Sequence, residues 1–300
     1  MDKVDREILQ QLAANCRITY QELAMLCNLS ANAVKKRVKK LEDTGIITGY
    51  RVSLSPAMVG TNQLFGMLAT DGSQDETKFV NELGKNEKIM AAASYTGGHY
   101  ALVAEFRDSQ DLWDIGAFLR SFDSVKNIET HQLLVDRGSI MELSKSHLRV
   151  LKKLVKDPRM SIVDIAEESG LSARRARKLV NDFVQSKAVR FGVLLELGAG
   201  ESIPFLMWVT WDEHATNYQR VASWLSKTFS SSVWDIYPSA EQPIMIILFT
   251  GENLTAVDEI SQQTRFNEHI TKVTVQIAKY HNYFPGLGAR YLYQLIETVD

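Results

Sequence analysis

The sequence is poor in the residues that usually hold a metal, a disulfide framework or a membrane anchor. Its 300 residues include two cysteines, Cys16 and Cys27, too few for a disulfide scaffold, and six histidines without the HxxxH or CxxC spacing typical of metal sites. The N-terminus is charged from Asp2 onward, and no apolar run approaches the length of a membrane span. We therefore expect a cytoplasmic protein with no metal, no cofactor and no membrane partner.

The chain also has little net charge, but this average conceals two basic segments. The formal charge of the whole chain is −2. Residues 1–52 contain nine lysines and arginines against six acidic residues, and residues 143–194 contain twelve against five, so the rest of the chain is acidic. This partition is typical of a protein in which two basic modules meet phosphate while the remainder meets protein or small ligands.

Each basic segment contains a motif that predicts a DNA-recognition helix. In residues 29–41, Ser30 can cap a helix that has an apolar stripe on one face and basic residues on the other. A shorter amphipathic helix precedes it at residues 20–27, and Asn28 suits the tight turn between the two. Two helices across a short turn form a helix-turn-helix, whose second helix places its N-terminal residues at the base edges of the major groove.

Almost the same motif recurs 142 residues later, at residues 171–183. A single basic helix face could be only the solvated face of an amphipathic helix, but its recurrence in a second basic segment favours DNA binding. The predicted DNA-binding residues are Ser30, Asn32, Lys35, Lys36, Lys39 and Lys40 in the first copy and Ser172, Arg174, Arg175, Arg177 and Lys178 in the second. The predicted partner is double-stranded DNA.

The offset of 142 residues continues through almost the whole chain, which indicates an internal duplication. Identical residues at this offset include Leu9 and Leu151, Arg17 and Arg159, Lys36 and Lys178, Tyr95 and Tyr237, and Ile128 and Ile270. In each copy three helices are followed by a β-rich wing, at 46–53 and 189–197, and then by a pattern of elements in the order βαββαβ. The handedness of crossovers folds that order into a ferredoxin-like sandwich.

The predicted fold class is therefore α+β, with two winged helix-turn-helix domains alternating with two ferredoxin-like βαββαβ domains. The expected domains are 1–55 and 143–197 (winged helix-turn-helix), 60–138 and 202–282 (ferredoxin-like), and a C-terminal extension at 283–300 with a helix at 291–298. Each sandwich leaves one sheet face open. We expect the two open faces to cover each other within one chain, and the chains to assemble further into homo-oligomers through these domains.

The residues at 2–9, 15–24 and 29–50 resemble the Lrp/AsnC family of transcriptional regulators, and the duplication resembles a tandem member of archaeal type. The resemblance implies DNA binding by winged helices, assembly through the sandwich domains, and amino acids or related metabolites as effectors. Family members usually carry a Gly-Asp-aromatic-Asp turn near the effector pocket. Here that turn reads Gly97-Gly98-His99-Tyr100, and the second copy reads 239–242 with Glu241 as its one acid.

The turn at 97–100 has two interpretations. His99 and Tyr100 could be solvent-facing side chains at a strand edge, or Gly97, Gly98, His99 and Tyr100 could bind a small-molecule effector. An amino acid needs a carboxylate for its ammonium group, and both acidic positions are lost from this turn. We expect common amino acids to bind weakly or not at all, and the effector to be an anion or an aromatic molecule.

Three functions remain open from the sequence. A sequence-specific regulator and an architectural protein that coats DNA with little specificity both use basic recognition helices. The third is an enzyme similar to siroheme decarboxylases, which are built from similar paired units with a characteristic His-Asn-Tyr segment before a sandwich strand. Here His281-Asn282-Tyr283 is expected to follow the last sandwich strand, and basic recognition helices in both copies have no use in that enzyme, so we expect a non-enzyme.

Overall fold

The computed structural model describes residues 1–299, and the two halves of the chain fold with the same order of elements. The first half consists of α1 (Lys3–Ala14), α2 (Tyr20–Leu26), α3 (Ala31–Asp43), β1 (Ile47–Leu54), α4 (Pro56–Val59), β2 (Asn62–Thr70), α5 (Glu76–Leu83), β3 (Ile89–Tyr95), β4 (His99–Phe106), α6 (Ser109–Arg120) and β5 (Val125–Gln132). The second consists of α7 (Lys145–Leu154), α8 (Ile162–Ser169), α9 (Ala173–Ser186), β6 (Val189–Leu195), β7 (Ile203–Trp211), α10 (Tyr218–Thr228), β8 (Val233–Pro238), β9 (Ile244–Gly251), α11 (Leu254–Arg265), β10 (Ile270–Tyr283) and α12 (Gly286–Glu297). The predicted α+β fold with duplicated helix-turn-helix and βαββαβ modules is confirmed.

The chain divides into two compact units that each combine equivalent parts of both halves. One unit contains residues 1–61, 137–199 and 287 onward, that is, both helix-turn-helix modules and α12. The other contains residues 62–136 and 200–286, that is, both sandwiches. Duplication has thus produced units that contain two copies of one module.

The helix-turn-helix unit is held together by a sheet shared between its two modules. The strand predicted after each third helix is present, but β1 has no partner strand in its own module. It pairs with β6 in an antiparallel ladder centred on the pairs Tyr50 with Val193 and Arg51 with Gly192. Val52 from β1 and Phe191 from β6 are buried in one core with the apolar residues of α7, α8 and α9. The two modules therefore form one structural unit.

The recognition helices begin as the capping residues predict. The Oγ atom of Ser30 accepts a hydrogen bond from the Ala33 N–H (3.2 Å), and that of Ser172 accepts from the Arg175 N–H (3.3 Å). Asn28 adopts a left-handed conformation with φ of 52°, as expected for the turn before α3, and a glycine occupies the equivalent position in the second module.

The sandwich unit contains one eight-stranded sheet in the order β5-β2-β4-β3-β10-β7-β9-β8. Its first four strands belong to the first sandwich and its last four to the second. The residues that directly follow the two outermost strands also pair, through an isolated antiparallel bridge between Leu133 and Ser239. The buried cluster between the two sandwiches contains Phe65, Met67, Tyr95, Ala101 and Leu133 of the first and Leu206 and Ile246 of the second. The open sheet faces thus cover each other within one chain, as expected.

Strand β10 corrects one expectation. It continues to Tyr283, and its last residues pair with β3 of the first sandwich, His281 opposite Ala93 and Asn282 opposite Ala92. The His-Asn-Tyr segment therefore lies within the last sandwich strand and not after it. The counterparts of these three residues at the 142-residue offset, residues 139–141, form no strand, so the repeat could not predict that pairing with the free edge of β3 extends β10.

The C-terminal extension begins with the end of this strand and continues as α12. The helix starts five residues earlier than the predicted 291 and packs Leu292 and Ile296 into the core of the second helix-turn-helix module. Within residues 1–299, no helix is long and apolar enough to cross a membrane, and no group of three or more His, Cys, Asp or Glu side chains could hold a metal ion.

Candidate nucleic-acid interface

Helix α3 presents a basic face to solvent and packs its apolar face inward. Val34, Val38 and Leu41 are almost completely buried. The predicted residues Asn32, Lys35, Lys36, Lys39 and Lys40 are all exposed. Among the described residues, the only ion pair of these four lysines joins Lys39 to Asp43 (3.2 Å), and it is largely exposed. Such a pair contributes little to stability and leaves the basic face available to an anionic partner.

Arg37 is the one basic residue of α3 that does not belong to this face. Its Nη1 atom lies 2.6 Å from both Asp2 Oδ2 and Asp5 Oδ1. Hydrogen bonds to these two carboxylates raise the pKa of Arg37. The residue ties α3 to the capped start of α1 and so fixes the orientation of the recognition helix; the second module has a buried leucine, Leu179, at the equivalent position.

Helix α9 presents an arginine-rich face in the second module. Its buried residues are Ala176, Leu179, Val180 and Phe183. The exposed predicted residues are Arg174, Arg175, Arg177 and Lys178, and none of them forms an ion pair within residues 1–299. The two predicted serines, Ser30 and Ser172, are exposed as well, but each hydroxyl is already engaged as a helix cap.

Two equivalent arginines connect the two helix-turn-helix modules by hydrogen bonds. Arg17 donates from Nη1 to the carbonyl oxygen of Pro158 (2.6 Å) and from Nη2 to that of Met160 (3.0 Å). Arg159, its counterpart at the 142-residue offset, donates from Nη1 to the carbonyl oxygen of Cys16. Since Cys16 and Pro158 are also counterparts, the two bonds are reciprocal. The guanidinium of Arg159 also lies over the rings of Tyr20 and Tyr50, at 5.1 and 5.3 Å.

This chain is similar in sequence to a family of known proteins and to individual members of it. The family model described as winged helix-turn-helix DNA-binding matches residues 1–48 and 143–189. An uncharacterized HTH-type transcriptional regulator of Pyrococcus abyssi is 27% identical over 139 residues, which is 45% of this chain and 92% of that protein. The regulatory protein AsnC of Escherichia coli is 34% identical over 105 residues, which is 34% of this chain and 67% of AsnC. The chain belongs to the Lrp/AsnC family.

A likeness over the whole chain comes from a solved structure. The siroheme decarboxylase NirDL covers 99% of both chains with a TM-score of 0.55 at 13% sequence identity. At this identity the likeness shows that the complete arrangement of duplicated modules recurs in a known fold, and no more. The chain is thus an Lrp/AsnC-family regulator with tandem helix-turn-helix modules and a duplicated fold.

The turn where Lrp/AsnC proteins carry their acidic motif has a different character here. Gly97 and Gly98 both adopt left-handed conformations, with φ of 76° and 72°, which only glycine adopts without strain. His99 is partly exposed, and its Nδ1 atom lies 3.2 Å from the carbonyl oxygen of Thr96. Tyr100 is 2% exposed and packs edge to face on Phe79, with ring centroids 4.7 Å apart. The interpretation of Tyr100 as solvent-facing is therefore wrong, because its ring belongs to the sandwich core.

The equivalent turn of the second sandwich borders a cavity that the sequence did not reveal. The cavity has a volume of about 540 Å³ and lies between α6, β5 and β2 of the first sandwich, with Glu241 from the second at its margin. Apolar walls come from Leu64, Ile115 and Ile128. Glu241 is the counterpart of His99 at the 142-residue offset, so this turn reaches a cavity in the other sandwich.

Two cations of unequal availability line this cavity. Arg120 lies over the ring of Trp113, with 5.3 Å from its Cζ atom to the ring centroid, and it forms no ion pair with any described residue. Lys126 is already engaged, because its Nζ atom lies 3.2 Å from Asp71 Oδ2 and donates to the carbonyl oxygen of Asp123. Arg120 is therefore the cation that remains available to a bound anion.

Proposed function

We propose that this Lrp/AsnC-family regulator binds duplex DNA sequence-specifically by inserting α3 and α9 into the major groove. The observation that carries this proposal is the pair of exposed basic helix faces, held in one unit by β1, β6 and the reciprocal bonds of Arg17 and Arg159. A helix-turn-helix places the N-terminal part of its second helix at the base edges. Asn32 and Lys36 in α3, and Arg174 and Arg175 in α9, are then nearest the bases.

The residues further along α3 have a different proposed role. Lys39 and Lys40 lie toward its C-terminal end, where cations meet phosphates and not bases. Phosphate contacts give affinity that depends on salt and not on sequence, whereas base contacts give discrimination. The two groups of residues can thus be separated by experiment.

The test is a binding titration against random-sequence duplex DNA and against a duplex selected by the wild-type chain. The test variant combines Lys35→Ala, Lys36→Ala, Arg174→Ala and Arg175→Ala. The control variant removes four exposed cations from the sandwich unit: Lys78→Ala, Arg220→Ala, Lys227→Ala and Lys272→Ala. Both lose the same charge, so only a localised interface weakens the first variant far more than the second. Equal binding by the two variants would overturn the proposal.

The same titration separates a site-specific regulator from an architectural protein. Specific regulators bind their sites typically 10³- to 10⁷-fold more tightly than random DNA at physiological salt. We expect a ratio in that range for the selected duplex. A ratio near one at a stated salt concentration would support the DNA-coating function.

The full-length likeness to a siroheme decarboxylase makes an enzyme the second candidate. The His281-Asn282-Tyr283 segment lies in strand β10, so its position no longer argues against that activity. However, its side chains line no part of the cavity beside Arg120, and an enzyme gives no reason for two exposed basic recognition helices. We expect no carbon dioxide release from siroheme under anaerobic conditions. Release that is lost in His281→Ala would favour the enzyme.

The proposed effector site is the cavity of about 540 Å³ bordered by Arg120 and Glu241. A ligand pocket combines apolar walls with a few polar groups that fix orientation, and here the polar groups have opposite charge. This favours a small molecule with an anionic group for Arg120 and a cationic or donor group for Glu241. The test is calorimetry with wild-type protein and with Arg120→Ala against the twenty amino acids. Tight binding that Arg120→Ala abolishes would support this cavity and overturn the expectation that common amino acids bind weakly, whereas binding that Arg120→Ala leaves unchanged would exclude this cavity.

The effector residues predicted from the turn remain Gly97, Gly98, His99 and Tyr100. For Tyr100 to contact an effector, the core residues packed around its ring would have to move. Assembly into homo-oligomers also stays a prediction. Light scattering of the full chain measures it directly.

A further inference from the structure

We infer that this chain binds an operator made of two unequal, inverted half-sites, and that it does so in one fixed direction. The inference rests on the proposed DNA binding and goes beyond it. It follows from two observations together. The frame that holds the recognition helices, namely the pairing of β1 with β6 and the reciprocal bonds of Arg17 and Arg159, is symmetric. The exposed residues of α3 and α9 are not.

The symmetry of the frame is visible in the register of β1 and β6. Tyr50 pairs with Val193, and Arg51 pairs with Gly192. The 142-residue offset converts the first pair into the second, so the centre of the ladder, residues 49–52 with 191–194, maps onto itself when the modules are exchanged. The pair Val52 with Phe191 is likewise converted into Gly49 with Leu194. An antiparallel ladder with this property has a local two-fold axis at its centre.

The reciprocal arginine bonds obey the same axis. Arg17 reaches the carbonyl oxygen of Pro158, and exchange of the modules converts this bond into the bond from Arg159 to Cys16. The helix-turn-helix modules are therefore related as two subunits of a symmetric dimer are. In such dimers the recognition helices read half-sites that are inverted with respect to each other, centred one helical turn or a multiple apart.

The exposed residues break this symmetry at the positions that meet DNA. Toward the helix N-terminus, Asn32 and Ala33 of α3 correspond to Arg174 and Arg175 of α9. One turn further, Lys35 corresponds to Arg177. Because the N-terminal part of the helix faces the base edges, α9 concentrates its guanidinium groups where sequence is read.

The C-terminal parts of the two helices differ in the opposite sense. Lys39 and Lys40 of α3 correspond to Asn181 and Asp182 of α9. Helix α3 thus continues to offer cations where the backbone phosphates pass, whereas α9 offers an amide and a carboxylate. We therefore expect α3 to contribute more of the affinity for DNA and α9 more of the discrimination between sequences.

The chemistry of the two cations turns this division into a difference of sequence. A guanidinium forms a planar bidentate pair with the O6 and N7 atoms of guanine, whereas an ammonium is a compact charge that suits phosphate. The half-site under α9 should therefore contain defined guanines, and the half-site under α3 should tolerate more sequences. An operator with one strict and one tolerant half-site is asymmetric. The chain therefore binds it in one orientation, with α9 on the strict half-site and α3 on the tolerant one.

The test is selection of bound duplexes from a random pool by the full-length chain, followed by sequencing. We expect an inverted repeat with one guanine-defined half and one weaker half. Replacing a guanine in the strict half should weaken binding roughly 5- to 150-fold, and the matched replacement in the other half should have a smaller effect. A motif with two equal halves would overturn the inference while leaving DNA binding intact, and no enrichment of any sequence would overturn the proposed function itself.

Two variants with equalised faces provide the matched control. The first gives α9 the face of α3 through Arg174→Asn, Arg175→Ala, Arg177→Lys, Asn181→Lys and Asp182→Lys. The second gives α3 the face of α9 through Asn32→Arg, Ala33→Arg, Lys35→Arg, Lys39→Asn and Lys40→Asp. Each should select a palindrome, tolerant in the first case and guanine-defined in the second. If one variant fails to fold, the other decides, and an unchanged asymmetric motif from a folded variant would contradict the inference.

Discussion

Replacing Arg17 should destabilise the helix-turn-helix unit more than its partly exposed position suggests. Its guanidinium satisfies two backbone carbonyl oxygens of the other module, those of Pro158 and Met160, at 2.6 and 3.0 Å. Hydrogen bonds from a charged donor contribute about 1.5–3 kcal/mol each, and the partial exposure of the site lets water replace some of that, so we expect a loss of about 2–4 kcal/mol for Arg17→Ala. That is a large fraction of the roughly 5–15 kcal/mol that stabilises a typical domain.

The assay is urea unfolding followed by two probes. All five tryptophans lie in the sandwich unit, so tryptophan fluorescence reports that unit, whereas far-UV circular dichroism reports the helices of both units. A circular dichroism transition at lower urea than the fluorescence transition therefore belongs to the helix-turn-helix unit. Arg17→Lys is the matched control, because an ammonium keeps the charge but lacks the fork that spans two carbonyl groups. We expect Lys to recover less than half of the loss. A change below about 0.5 kcal/mol in Arg17→Ala, the range of an ordinary surface substitution, would refute the reasoning.

Three further predictions concern thiols, salt and acid. Burial raises the pKa of Cys16 to about 11, whereas Cys27 is partly exposed, so a thiol reagent should modify Cys27 alone in the native protein and both cysteines in denaturant; two fast thiols in native protein would contradict this. Replacing Lys39 and Lys40 by alanine should reduce the slope of log affinity against log salt by about one to two and weaken all duplexes alike, whereas an exposed lysine of α10 should leave the slope unchanged. Burial lowers the pKa of His147 at the capped start of α7, so the unfolded chain binds more protons and stability should fall as the pH drops below about 6.5. His147→Gln keeps a capping-box residue and should lessen that fall in urea titrations, and equal acid sensitivity of both proteins would count against it.

Much of the fold could be predicted because the repeat gave each pattern twice. The helical stripe of Val34, Val38 and Leu41 recurs in α9, and the βαββαβ order recurs in both sandwiches, so independent copies supported each assignment. Periodicity identifies a strand but not its partner. This is why the pairing of β1 with β6, and of the last residues of β10 with β3, appeared only in the structure.

The candidate sites were predictable to different degrees for the same reason. The exposed face of α3 follows from helical spacing, whereas Arg37 differs from its basic neighbours only because two carboxylates of α1 are close in space. The cavity beside Arg120 is completed by Glu241 from a turn of the other sandwich. A local sequence pattern does not show which distant segments meet, so this cavity could not be predicted. A signal for the reciprocal bonds was present, however: Arg17 and Arg159 are identical long side chains at equivalent loop positions.

The joining of β1 to β6 within a single polypeptide has a consequence for inheritance. In a regulator assembled from two identical subunits, every mutation of a recognition helix appears twice, and both halves of each target promoter must change to follow it. Here one codon alters one helix only, while the shared ladder and the paired arginines preserve the spacing between the two helices. On the proposed mode of DNA binding, each half of a promoter would therefore change together with its own helix, and new targets would be acquired one half-site at a time.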